Sequence, residues 1–199
     1  MIAVIDYGAG NIFSLINALD YLGCKSVLTG DKRVVEEADS VILPGVGAFP
    51  DAMRKLAGSG LIETIREQAK IKPLLGICLG MQALFEKGYE FEETDGLGLI
   101  PGEVKRLEAG GLKIPHMGWN SVKCENGCEL TQGIRDGEMV YFVHSYAART
   151  PDEYISLSCE YGACFPALVH SGYVYGAQFH PEKSGGVGLK ILKNFAALR

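Results

Sequence analysis

"KPLLGICLGMQALF", residues 72–85, joins two kinds of pattern at a single residue. The apolar run "PLLGIC" (73–78) has the length and composition of a buried strand, and helical spacing resumes in "GMQALFEKG" (80–88), which closes on Gly88. At the junction stands Cys78, with Gly76 two residues before it and Gly80 two after. A strand that turns sharply into a helix holds its turn residue in a strained conformation, side chain exposed above the strand ends. The neighbours at −2 and +2 must then be small so that strand and helix can approach. "GICLG" meets that requirement with cysteine as the nucleophile. The start of the helix puts N–H groups and a positive dipole end beside the sulfur, which favours thiolate. The Leu79 N–H is placed to donate to an oxyanion. A small buried cysteine ending a strand satisfies the pentapeptide about as well, so a catalytic reading needs a base elsewhere.

Outward from this junction the first half of the chain alternates in the same way. "IAVIDY" (2–7) and "SVILPG" (40–45) read as strands, "IFSLINALDYLG" (12–23) and "GLIETIREQAK" (60–70) as helices, with a loop between 45 and 60. Repeated strand–helix–strand units imply right-handed crossovers and a parallel sheet covered on both faces. The second half changes character. Segments 102–108, 113–124, 138–147, 154–162, 166–172 and 173–180 are strand-like, punctuated by Gly or Pro, and "VGLKILKNFAAL" (187–198) is a closing amphipathic helix. With no linker or repeat, residues 1–199 are expected to form one α/β domain. It would be a three-layer sandwich with a largely parallel central sheet, helices on both faces, and an antiparallel extension in the second half.

Composition limits the partners. A chain of 199 residues supports one sizeable core, and 47% apolar with 22% charged residues is a globular balance. A net charge of −5 argues against nucleic acid or an acidic membrane surface as partner. No basic residue precedes Lys25, as a secretory signal would require, and no apolar stretch approaches the roughly 20 residues that span a bilayer. The six cysteines are therefore expected to be reduced thiols of a cytoplasmic protein.

The base is sought among four histidines, and "QFHPEKS" (178–184) singles out His180. Pro181 biases His180 toward extended torsions. In an extended segment residues two apart share a side, so Glu182 should lie beside the imidazole and fix its tautomer. A third element is "LPGVGAF" (43–49), whose Gly45, Val46 and Gly47 supply a second oxyanion donor if its strand neighbours that of Cys78. An ordinary strand-to-loop turn uses such glycines equally well.

Other motifs carry less. In "DYGAGNIF" (6–13), Gly8 and Gly10 fit a dinucleotide fingerprint and Asp31 falls near the ribose-binding position, but Phe13 replaces the third glycine. A tight turn capped by Asn11 is the preferred reading. Cys124 with Cys128, and Cys159 with Cys164, lack metal-ligand spacing, so no metal site is expected. Met117 and Trp119 on a strand are more often core than docking surface.

Taken together, "GICLGMQ" and "QFHPEKS" resemble the class I, triad-type glutamine amidotransferases. The fuller series "DYGAGNI", "LPGVGAF", "GLGLIPGEV", "PHMGWN", "FVHSY" and "FHPEKSG", in order along the chain, is similar to the glutaminase subunits of imidazole glycerol phosphate synthases. The resemblance implies Cys78 as nucleophile, His180 as general acid/base and Glu182 as its orienter, with Leu79 and residues 45–47 as oxyanion hole. Gln82, His144, Ser145 and Tyr146 would hold L-glutamine. No cofactor is implied. The implied partner is a (β/α)8-barrel cyclase that consumes the ammonia, forming a heterodimer, with Met117, Trp119 and Lys183 near the interface. The glutaminase of pyridoxal phosphate synthase, a cysteine peptidase or amidase, and a non-catalytic nucleotide-binding module using "GAGN" are the competing readings.

Overall fold

Strand β1 (Ile2–Ile5) is apolar at every position because both of its faces are covered. Ile2 and Val4 enter one core, Ala3 and Ile5 the other. This is seen in a computed structural model that describes residues 1–8 and 10–198; Ala9, inside the "GAGN" motif, lies outside the described residues. The first half continues with α1 (Ile12–Tyr21), β2 (Ser26–Thr29), α2 (Lys32–Glu37), β3 (Ser40–Gly45), α3 (Phe49–Ser59), α4 (Ile62–Gln68), β4 (Leu74–Cys78) and α5 (Leu79–Gln82). Short strands follow: β5 (Lys87–Gly88), β6 (Thr94–Asp95), β7 (Glu103–Arg106), β8 (His116–Ser121) and β9 (Lys123–Cys124). The chain ends with β10 (Met139–His144), β11 (Tyr146–Arg149), β12 (Ile155–Tyr161), β13 (Ala163–Ser171), β14 (Val174–Ala177), a 3-10 turn (Pro181–Lys183) and α6 (Gly185–Ala196).

The central sheet runs β2-β1-β3-β4-β14-β13-β12-β9. Neighbours are parallel from β2 through β14 and antiparallel from β14 to β9. Leu15 and Leu19 of α1 and Ile191, Leu192 and Phe195 of α6 pack on one face. Val35 of α2, Leu56 of α3 and Ile65 of α4 pack on the other, giving three layers. A β10–β8 ribbon and a small sheet, β11-β7-β5-β6, stand beside this body. The expected α/β sandwich with its antiparallel extension is the observed architecture. Among the described residues no helix is long and apolar enough to cross a membrane.

Several local expectations are corrected. Residues 45–60 are not all loop, because α3 occupies Phe49–Ser59. Its Pro50 sits in the first turn, where a missing N–H costs nothing. The helix expected over 80–88 stops at Gln82. The carbonyls of Ala83, Leu84 and Phe85 accept instead from the N–H groups of Leu97, Leu99 and Gly98, which diverts the chain from helix. The strand expected over 138–147 is two strands in different sheets, broken at Ser145. Pro166, which in a strand-like segment suggests an edge or a bend, lies in the interior strand β13 opposite Ser158, beside an irregularity in the register with β12. Asn11 stands at the N-cap of α1, but its Oδ1 accepts from Ser14 Oγ at 3.3 Å and caps no backbone N–H.

Candidate active site

Three adjacent parallel strands end together and bring the candidate residues to one edge. Gly45 at the end of β3 is in register with Cys78 at the end of β4, and Ala177 of β14 with Ile77 on the other side. The strand adjacency required of the 45–47 segment is therefore present. Ligand sites of parallel sheets lie at these carboxyl ends, because the loops there face outward over open strand termini.

Cys78 has φ 54° and ψ −108°, outside the ordinary regions for a side-chain-bearing residue. The flanking glycines make the bend feasible. A Cβ on Gly80 would stand 1.9 Å from the Leu43 carbonyl oxygen, and one on Gly76 2.6 Å from that of Gly80. Since α5 is a single turn, its dipole is short, and support for charge at the sulfur falls mainly to neighbouring side chains.

One of those supports is His180. Its Nδ1 lies 2.8 Å from Glu182 Oε1, and both side chains are almost wholly buried. His180 itself is extended, with φ −95° and ψ 99°, as Pro181 requires, and the 3-10 turn that begins at Pro181 brings Glu182 back beside the ring. That turn is tied to β10: the His180 N–H donates to the Tyr141 carbonyl at 3.0 Å and the Tyr141 N–H to Ser184 Oγ at 2.9 Å. Burial alone would depress the His180 pKa. Hydrogen bonding and charge interaction with Cys78 and Glu182 outweigh it and push the value up to about 9. The ring is thus held as imidazolium at neutral pH. Its Nε2 is buried and has no hydrogen-bonding partner, which leaves that nitrogen available to a reacting group.

Beside these residues opens a cavity of about 260 Å³, below the range typical of drug-sized ligands and suited to something as small as an amino acid. Val46, Gly47, Cys78, Leu79, Gln82, His144, Ser145, Tyr146 and His180 all border it. Gly45 does not. It borders a separate small cleft, with Asn11, His180 and Glu182. Gln82 Nε2 donates to the Tyr146 carbonyl at 2.9 Å and to Gln178 Oε1 at 3.0 Å. Gln178 Nε2 in turn lies 3.8 Å from Cys78 Sγ. The sequence reading passed over Gln178, although two-residue alternation from His180 could have drawn attention to it. Glu90, Pro115 and Val143 also border the cavity and were missed. Glu90 is brought in by the loop after β5 and held by the Phe49 N–H, which donates to its Oε2 at 2.8 Å, a pairing no local pattern announces.

Met117, Trp119 and Lys183 lie on another surface. Met117 and Trp119 point outward from β8, 62% and 53% exposed. The Trp119 ring meets that of Tyr141 edge-on at 6.2 Å, and Lys183 Nζ lies 5.9 Å over Tyr141. The three residues form one patch on the β8–β10 ribbon, and Met117 and Trp119 are not core.

A parallel sheet with an acyl-transfer-type Cys, His and Glu at its carboxyl edge describes the class-I glutamine amidotransferases. The profile of the glutamine amidotransferase class-I family matches residues 3–198. Solved structures agree on the fold. A structure described as a glutamine amidotransferase superposes with a TM-score of 0.76 at 20% identity, covering 97% of each chain. PurLQS from Thermotoga maritima superposes at 0.72 with 23% identity, covering 98% of this chain and 96% of that one. Within the family, the sequence is 53% identical to the imidazole glycerol phosphate synthase subunit HisH of Bacillus cereus, over 98% of this chain and 93% of that protein. It is 51% identical, with the same coverage, to HisH of Bacillus anthracis. The chain belongs to the class-I glutamine amidotransferases and, among them, to the HisH subunits of imidazole glycerol phosphate synthase.

Proposed function

We propose that the chain hydrolyses L-glutamine to L-glutamate and ammonia through a thioester on Cys78, and passes the ammonia to a (β/α)8-barrel cyclase subunit. The cyclase uses it to make imidazole glycerol phosphate and an aminoimidazole carboxamide ribotide in histidine biosynthesis, and the two subunits form a cytoplasmic heterodimer. The observation that carries this reading is the convergence of β3, β4 and β14, which sets Cys78 between the 45–47 segment and the His180–Glu182 pair.

The cysteine sulfur attacks the side-chain amide carbon. Negative charge develops on the amide oxygen, where the Leu79 N–H and an N–H of the 45–47 segment donate to it. His180 delivers its proton to the departing nitrogen as the C–N bond breaks, releasing ammonia. Water then adds to the thioester carbon and loses its proton to His180, and the C–S bond breaks to free glutamate. Glu182 holds the ring in orientation and stabilises its charged form. Gln82, His144, Ser145 and Tyr146 wall the glutamine site, and the Glu90 carboxylate is suited to the substrate ammonium.

Ammonia released into neutral water becomes ammonium and loses its nucleophilicity, so the product has to travel by a shielded path to its acceptor. Met117, Trp119 and Lys183 are the surface offered to the partner, an aromatic and basic patch of the kind that anchors interfaces. The experiment is to treat the protein with a glutamine-mimicking electrophile, with and without the cyclase, and map the adduct. A single adduct on Cys78 that forms faster in the complex is the expected result. Labelling elsewhere, or activation only by a pyridoxal phosphate synthase barrel, would refute the assignment.

A further inference from the structure

His116 and His144 are both buried, and neither enters the acyl-transfer steps. They face each other as directly paired residues of β8 and β10, with His116 Nδ1 3.0 Å from His144 Nε2. Their neighbours dictate where every proton in this contact lies. At one end His144 Nδ1 is 2.9 Å from the Tyr146 carbonyl, which only accepts, so Nδ1 carries the proton. At the other end Asn120 is fixed by the backbone: its Oδ1 accepts the Ser121 N–H at 2.8 Å and its Nδ2 donates to the Glu160 carbonyl at 2.9 Å. Its Nδ2 also faces His116 Nε2 at 3.3 Å, so that nitrogen accepts. One arrangement satisfies all of these contacts. Asn120 donates to His116, His116 to His144, and His144 to Tyr146, with both rings neutral and protonated at Nδ1. An added proton on either ring would set a donor against a donor.

The surroundings enforce the same state. His116 is stacked between Phe142, at 4.8 Å, and Tyr161, at 4.0 Å. Burial lowers its pKa to about 4. Burial also lowers that of His144 to about 4; the Tyr146 carbonyl opposes the shift, while the charges of His116 and His180 reinforce it. Among the described residues, the ionisable groups facing the pair are His180, toward His144, and Tyr161, against His116; Glu160 presents its backbone carbonyl. The chain ends on the carbonyl that also accepts from Gln82, in the wall of the cavity.

We infer that His116 and His144 are positioning residues: a neutral, one-directional hydrogen-bond pair that holds the Tyr146 carbonyl and, through it, Gln82 where glutamine binds. The inference rests on the glutaminase reading above. It reassigns His144 from a direct substrate ligand to a residue acting through its neighbour, because both of its ring nitrogens are already engaged. Such a device acts on substrate affinity more than on the chemical step.

Steady-state glutaminase kinetics of the complex with the cyclase test this. His116→Phe keeps an aromatic ring in the stack and removes the donor; the expected result is a KM for glutamine raised about tenfold with kcat within about twofold. His116→Asn, which restores a donor near Nδ1, should recover much of that KM. An unchanged KM, a loss confined to kcat, or equal KM values for the two variants would overturn the inference. Ring nitrogen NMR of the unaltered chain supplies a readout independent of variant folding. Both histidines should be neutral and Nδ1-protonated at pH ~6.5 and remain so down to pH ~5. An Nε2-protonated or cationic ring at pH ~6.5 would equally overturn it. Failure of the glutaminase reading looks different: the wild-type complex would then release no ammonia from glutamine.

Discussion

Two walls of one cavity use the same side chain in opposite ways. On the parallel-sheet edge, His180 backs onto Glu182 and faces Cys78, and its pKa is pushed up to about 9 against the burial that would lower it. On the β8–β10 wall, burial holds His116 and His144 at about 4, with a backbone carbonyl and an amide as partners in place of a carboxylate. Burial pushes all three rings toward the neutral form, and only at His180 do the partners, Cys78 and Glu182, overturn it. Neighbouring groups with pKa values driven apart are the usual basis for dividing roles in a site: one imidazole moves protons while the other holds geometry.

The sharpest way to break this contrast is to take the carboxylate from the first wall. Glu182→Gln keeps the shape and removes the charge, and kcat for glutamine hydrolysis should fall about 10²–10⁴-fold, measured as ammonia release by the complex. A fall of less than about threefold would mean that Glu182 does not orient the catalytic ring.

The dependence of stability on pH probes both walls at once, and the signs differ. A histidine whose folded-state value is raised from 6.5 to about 9 contributes stability that is complete below 6.5 and disappears as pH rises through about 9. Histidines depressed from 6.5 to about 4 contribute stability that is present above 6.5 and is lost as pH falls through about 4. Melting temperatures between pH ~4 and ~10 should therefore decline at both ends. Glu182→Gln should flatten the alkaline decline and His144→Phe the acid one. A swapped pattern would reverse the assignment of charge states.

The smallest effect on the chain itself is expected at the outer face of the second wall. Trp119→Ala should change the stability of the isolated protein by no more than about 0.5 kcal/mol, because the ring is half exposed. It should weaken binding of the cyclase by about 2 kcal/mol, read by calorimetric titration. Equal binding by variant and wild type would move the interface elsewhere.

What the sequence determined alone was the short-range chemistry. Gly76 answers to the Gly80 carbonyl only four residues on, and His180 and Glu182 meet because a single intervening proline leaves the chain few other arrangements; Gly80 needs in addition the neighbouring strand β3, whose Leu43 carbonyl leaves no room for a Cβ. The alternation of apolar strands and helices likewise fixed a covered parallel sheet, since each pattern has only one way to bury its face. The failures lay at element ends: the loop expected after residue 45 contains α3, and the helix expected to run to residue 88 stops at Gln82, the carbonyls of residues 83–85 being taken by residues 97–99. Tertiary structure alone decided that Glu90 joins the cavity wall, that His116 lies opposite His144, and that Met117 and Trp119 face outward. Each depends on which strands pair and in what register, and register is set by the packing of whole sheets, which no single segment encodes.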